Sequence, residues 1–204
     1  MVSRLIEILA NFVVSAIGLL GYSGVFLLML LESCGIPIPS EVIMPFSGFL
    51  VAQGKMTLFA IVLIGTLGNL AGSLLAYYIG LKGGRPLIEK YGKYILISHH
   101  DLDLADRFFT RYGQLAVFFG RLLPVVRTFI SFPAGIAKMN LKKFALFTFM
   151  GALPWCTLFG YLGVRLGEHW EYIRLKLHQF DLLMAFLVVA AVVWYIYRHL
   201  KHRR

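Results

Sequence analysis

The chain has 204 residues, 59% of them hydrophobic and only 15% charged, a balance that excludes a water-soluble domain with an ordinary polar surface. Twenty Lys and Arg against ten Asp and Glu leave a net charge of +10. The basic residues sit at the ends of apolar runs, not interleaved with aromatics on a polar face, so nucleic acid is excluded as a partner and positively charged loops between membrane spans are indicated.

In chain order, all of residues 1–204 read as one all-α polytopic membrane domain. Residues 1–20 carry Arg4, Glu7 and Asn11 at the start of an apolar run and lack a small-x-small cleavage pattern. They are expected to form an interfacial or short spanning helix of the mature protein. Residues 21–84 form a first unit, made of a re-entrant hairpin over 22–52 and a span over 57–81. Each arm of the hairpin, Tyr22 to Leu31 and Val42 to Ala52, is half a bilayer long as a helix. Between the arms, Gly35, Pro37 and Pro39 break the helix, and Ser40 is placed to cap the second arm with Glu41 in its first turn.

Residues 85–111 read as a cytoplasmic amphipathic connector, with Asp101 capping a short surface helix and His99-His100 in an exposed loop. Residues 112–167 form a second unit, with a hairpin over 113–137 broken around Gly120, Pro124 and Gly135, then a span over 143–164. A last span covers 180–198. Irregular backbone at membrane depth is tolerated only where protein or a water-filled cavity satisfies it, so both hairpins are expected to line a site. Cys34 and Cys156, the only cysteines, lie in apolar stretches and mark neither a disulfide framework nor a metal site, and no cofactor is called for.

Shifting the sequence by eighty-three positions aligns Lys55, Met56, Leu58, Leu63, Gly68, Leu75, Tyr78, Gly80 and Gly84 with Lys138, Met139, Leu141, Leu146, Gly151, Leu158, Tyr161, Gly163 and Gly167. About nine identities in roughly thirty positions, where this composition gives about three, indicate a duplicated hairpin-plus-span unit. Basic residues at Lys82 to Arg111, at Lys138 to Lys143 and in the tail from Arg198 place those segments and the C-terminus in the cytoplasm. Arg165, Arg174 and Lys176 fall on the other side, accompanied by Glu168, Glu171 and Asp181. The two units are then antiparallel, the inverted-repeat construction of secondary transporters.

Glu32 and Glu41 are the only acids between Glu7 and Glu89, and Arg121 and Arg127 the only charges between Arg111 and Lys138. An ionisable group at membrane depth costs about 2.5–3.5 kcal/mol on the insertion scale, so such groups pair, face a cavity or take part in function. The inverted repeat brings the acidic break against the basic one. Two buried salt bridges tying the hairpins together are one outcome. The other is a site in which Arg121 and Arg127 bind a phosphate headgroup and Glu32 and Glu41 carry protons that gate it. Asn69, Ser73, Gln53 and Gln114 are polar supports for such a site or helix contacts.

The stretch Glu32-Ser-x-Gly-x-Pro-Ile-Pro-Ser-Glu41, with Phe118-Phe-Gly-Arg121-x-x-Pro124-x-x-Arg127 and Ala134-Gly135, resembles the DedA family of bacterial inner-membrane proteins, also called the SNARE-associated or VTT-domain family. The likeness spans roughly Gly21 to Gly167. It implies two hairpins facing each other across the membrane and the return of undecaprenyl phosphate from the outer to the inner leaflet, for recycling of the cell-wall carrier. By position, the family's functional acids fall on Glu32 and Glu41, where many members have Asp at the second, and its arginines on Arg121 and Arg127. The expectation is therefore a multi-pass transporter in the bacterial plasma membrane, not an enzyme, whose partners are undecaprenyl phosphate or another anionic lipid, protons and the bilayer, with a homo-oligomer left open. Two other functions use the same residues: a proton-coupled small-ion or osmolyte transporter, and an undecaprenyl diphosphate phosphatase. The chain lacks the PGxSRS motif of such phosphatases and any His inside an apolar segment to act as nucleophile.

Overall fold

A computed structural model describes residues 2–36, 38, 40–95, 113–165 and 167 of the chain. Among them all regular structure is helical. The first three helices are α1 (Val2–Leu20), α2 (Tyr22–Ser33) and α3 (Ser40–Ala52). They are followed by α4 (Leu58–Ile95), α5 (residues 113–122), α6 (Pro124–Phe129), α7 (Ser131–Ile136) and α8 (Leu141–Arg165). Two helical stretches are long and apolar enough to cross a membrane, Leu58–Gly83 and Leu141–Arg165. The third expected span, over 180–198, lies outside the described residues, as do Pro37, Pro39, His99, His100, Asp101 and the rest of 96–111.

The helix of the first span runs on into the segment expected as a connector. Helix α4 does not stop at Leu81 but continues through Gly83 and Gly84 to Ile95. Glycine costs a helix about 1 kcal/mol but leaves its hydrogen bonds intact, and the helix also runs through Pro86, which removes one amide donor without ending it.

Between α2 and α3 the chain turns at Cys34 and at Gly35, whose φ of +100° is a conformation that residues with a Cβ rarely adopt. Between α5 and α6 it turns at Leu123, which is extended (φ −98°, ψ 122°) because Pro124 follows it, and Pro124 opens α6 at its first turn. A second joint at Ile130 separates α6 from α7. Gly120 and Gly135, expected at breaks, lie instead within α5 and α7, where each is small for a packing reason. A Cβ on Gly120 would strike the Ile130 side chain, and one on Gly135 the Tyr77 carbonyl oxygen of α4.

Close backbone approach sets how these helices cross. Helix α2 lies on α4, where a Cβ on Gly68 or Gly72 would run into the carbonyl of Phe26 or Leu30. Further along α4, Gly80 meets the carbonyl of Phe132 in α7. Helix α8 repeats this pattern: Gly151 lies against the Phe118 carbonyl of α5, and Gly163 against the Pro45 carbonyl of α3. Gly68 and Gly151, like Gly80 and Gly163, are matched by the eighty-three-residue shift. Each long helix therefore holds the first arm of its own broken segment and the second arm of the other one. A core of Tyr77, Val117, Ile130, Ala134 and Phe144 fills the junction of α4, α5, α7 and α8. Within it the Tyr77 ring stacks on Phe144 at 4.9 Å and the Tyr77 hydroxyl donates to the Met139 carbonyl. Phe59, Leu75, Ile79, Leu146 and Leu158 point outward from the long helices, as lipid-facing positions do.

Candidate functional site

The second break carries Arg127 and Thr128 on α6, and the last turn of α2 carries Glu32 and Ser33. The packing described above brings the two together. Glu32 Oε2 accepts from Arg127 Nη2 at 3.2 Å and from Ser33 Oγ at 3.0 Å, and Oε1 accepts from Thr128 Oγ1 at 3.0 Å. Both charged side chains are shut off from the surroundings, Arg127 at 2% and Glu32 at 5% exposure. A pair this buried repays its desolvation only when the other lone pairs are also satisfied, which Ser33 and Thr128 do for the carboxylate.

Arg121 lies one helix earlier, on α5, and is 1% exposed. Its Nη1 donates to Asn69 Oδ1 of α4 at 3.2 Å and to the main-chain oxygen of Arg127 at 3.1 Å. Its Nη2 donates to Ser131 Oγ of α7 at 2.6 Å and, at the limit of hydrogen bonding, to Thr148 Oγ1 of α8 at 3.5 Å. The planar guanidinium thus gathers four acceptors from as many helices, a geometry lysine does not reproduce. The Phe144 ring lies 6.0 Å from its central carbon.

The electrostatic sum of the three buried ions is one positive charge in excess, and donors outnumber acceptors around them. Arg127 Nη1, Arg121 Nε and Trp155 Nε1 are buried without a hydrogen-bond partner. The Arg127 guanidinium sits over the Trp155 ring of α8, with 4.8 Å between its central carbon and the ring centroid. An unpartnered buried donor costs about 1–3 kcal/mol, so three together are a strong departure from ordinary packing. Arginine and tryptophan side chains have no acceptor to offer each other, so what satisfies them must bring lone pairs.

Of the four ionisable residues expected at the site, the structure brings Glu32, Arg121 and Arg127 into one cluster. Glu41 stands in the first turn of α3, half-buried, with Ser40 Oγ 3.4 Å from its Oε2. Asn69 joins the cluster, whereas Ser73 donates within its own helix to the Asn69 carbonyl at 2.6 Å and Gln53 is exposed beyond the end of α3. Ser33, Thr128, Ser131, Thr148 and Trp155 were not singled out by the sequence. The first two had a signal, being adjacent to Glu32 and Arg127. The others sit in apolar runs with nothing local to mark them. Among the described residues, no three of His, Cys, Asp and Glu gather as metal ligands.

Residues 38–165 match the VTT domain. A protein of Bacillus subtilis named undecaprenyl phosphate transporter A is 39% identical over 155 residues, 76% of this chain and 76% of its own length. One of the same name in Staphylococcus aureus is 31% identical over 188 residues, 90% of this chain and 93% of its own. A protein of Lactococcus lactis named alkaline phosphatase-like is 35% identical over 158 residues, 75% of this chain and 74% of its own. No solved structure matches the chain.

Proposed function

Because the chain belongs to the VTT-domain family, also called DedA, and is a membrane protein, we propose that it is a lipid transporter that moves undecaprenyl phosphate across the bilayer, from the outer to the inner leaflet. The reading rests on one observation above the rest: Arg127, 2% exposed, spends one fork nitrogen on Glu32 and leaves the other, Nη1, with no acceptor. A phosphate monoester supplies acceptors in excess and carries the negative charge that the buried cluster lacks. Arg127 holds the headgroup directly. Arg121 holds the backbone of Arg127 in place and keeps its own Nε for the same anion. The isoprenoid tail stays in lipid.

Glu32 occupies the arginine that the headgroup needs. Protonation of Glu32 weakens its hold on Arg127 and opens that fork to phosphate, which couples binding to protons, with Glu41 on the opposite arm as a second proton carrier. The turns at Gly35 and at Leu123 before Pro124 support reading the two broken segments as re-entrant hairpins, and the shared glycine contacts of α4 and α8 support an inverted repeat. Rocking of one unit against the other then exposes the cluster to each leaflet in turn. The positive-inside pattern supports a bacterial plasma-membrane protein with its C-terminus on the cytoplasmic side.

The test is reconstitution of the full chain into vesicles loaded with undecaprenyl phosphate, scoring the fraction of headgroup accessible on each side. The parent is expected to equilibrate the lipid faster than empty vesicles and Arg127→Ala to reduce this to background. Equal rates in parent and Arg127→Ala sink the reading. Phosphate release in the same vesicles would point instead to hydrolysis, the activity that the lactococcal relative's name suggests.

A further inference from the structure

Trp155 lies in the middle of α8, eight per cent exposed, and Phe159 one turn on packs on its ring at 4.5 Å between centroids. Two of its features have no structural explanation within the protein. Its indole N–H is buried without an acceptor, although a buried tryptophan usually finds one. Besides Phe159, its ring carries the guanidinium of Arg127, whose central carbon lies 4.8 Å from the ring centroid. Arg127 Nη1, bonded directly to the carbon so placed, is the second unpartnered donor. Two orphaned N–H groups are thus stacked within one buried contact, one permanently charged and one neutral, and neither has a lone pair to give the other.

We propose that Trp155 is a binding residue for the lipid phosphate, resting on the reading of the arginine site given above: its indole N–H donates to one phosphate oxygen while Arg127 Nη1 donates to another, and its ring face fixes the guanidinium in the plane that presents Nη1. The ligand class follows from the donors. A phosphate monoester offers acceptors to both N–H groups at once, whereas the hydroxyl of the corresponding alcohol brings a donor proton of its own and no charge. Trp155 therefore adds discrimination for the phosphorylated over the neutral isoprenoid.

The experiment measures binding of undecaprenyl phosphate and of undecaprenol to the purified full chain in lipid nanodiscs. Trp155→Phe keeps an aromatic ring under Arg127 and removes the N–H, with a smaller ring in place of the indole. It is expected to weaken undecaprenyl phosphate binding about tenfold, the size of one hydrogen bond to a charged group, and to leave undecaprenol unchanged. Trp155→Leu removes the ring as well and weakens the phosphate further. Labelling tryptophan with nitrogen-15 gives a readout in the unsubstituted protein: the indole signal that disappears in Trp155→Phe shifts downfield as undecaprenyl phosphate is added and not as undecaprenol is added. Unchanged phosphate affinity in Trp155→Phe, or an unmoved indole signal, overturns the role of Trp155 while leaving the arginine site intact. Full binding by Arg127→Ala overturns the arginine site, and this inference with it.

Discussion

Arg121 donates to the main-chain oxygen of Arg127 at 3.1 Å, so one arginine fixes the backbone from which the other projects. The two cations avoid direct competition by using different kinds of acceptor. Arg121 takes a carbonyl, an amide and two hydroxyls, all neutral, while Arg127 takes the carboxylate of Glu32. The side chains therefore have different sensitivities to substitution.

Arg121→Lys keeps the charge but has one nitrogen for acceptors that reach it from α4, α6, α7 and α8. Its thermal stability in detergent is expected to fall, by roughly 3 kcal/mol if two buried acceptors lose their donor. Arg127→Lys loses less stability, because a single ammonium still reaches Glu32, yet it loses the fork and with it lipid transport. Comparing melting midpoints and transport rates for the two variants checks this; equal stability losses would mean that Arg121 is no anchor.

The pairing of the breaks was legible because charge is so scarce in this chain. Two arginines in a stretch otherwise free of charge from Arg111 to Lys138 have few available counter-ions, and Glu32 is one of two acids in a stretch otherwise free of charge from Glu7 to Lys55. Which acid meets which base was not legible, since it depends on the angle at which α2 crosses α4, set where glycines let backbones touch. A glycine in a membrane helix reads the same whether it faces lipid or another carbonyl. Trp155 was hidden for a similar reason: an aromatic residue in an apolar span gives no sign of whether it faces lipid or an arginine. In the run from Lys82 onward the polar composition gave no sign that the helix of the span continues to Ile95.

Glu32→Gln tests the competition between carboxylate and phosphate. The amide is close to isosteric and its oxygen still accepts from Thr128 or Ser33, but it no longer neutralises Arg127. Binding of undecaprenyl phosphate is expected to tighten severalfold, and transport in vesicles to lose its response to an imposed pH gradient. A variant that bound no more tightly and followed the gradient as the parent does would remove Glu32 from the coupling step.

Gly35 separates backbone strain from packing. A Cβ there would meet nothing within 4 Å, so Gly35→Ala has only its φ of +100° to resist it. The expected loss is about 1–2 kcal/mol in a thermal melt, with the helices on either side unchanged by circular dichroism. A larger loss would mean that the turn packs against something when the protein sits in its membrane.

Gly135 and Gly163 offer the sharpest test of the crossed packing, in which each long helix holds the second arm of the other broken segment. A Cβ on Gly135 would run into the Tyr77 carbonyl of α4, and one on Gly163 into the Pro45 carbonyl of α3. Neither obstacle is the movable end of a side chain, so relief requires shifting a whole helix. Gly135→Ala and Gly163→Ala should each cost about 3 kcal/mol, the upper part of the range for overpacking. Gly18 is the control: it is exposed near the end of α1, a Cβ there meets nothing within 4 Å, and Gly18→Ala should be neutral or stabilising by about 0.5–1 kcal/mol. Melting midpoints of the three variants in one detergent decide the matter. If Gly135→Ala and Gly163→Ala melt with Gly18→Ala, the arms do not pack on the opposite spans as described; if only one of them is damaged, the two halves of the molecule are not held in equivalent ways.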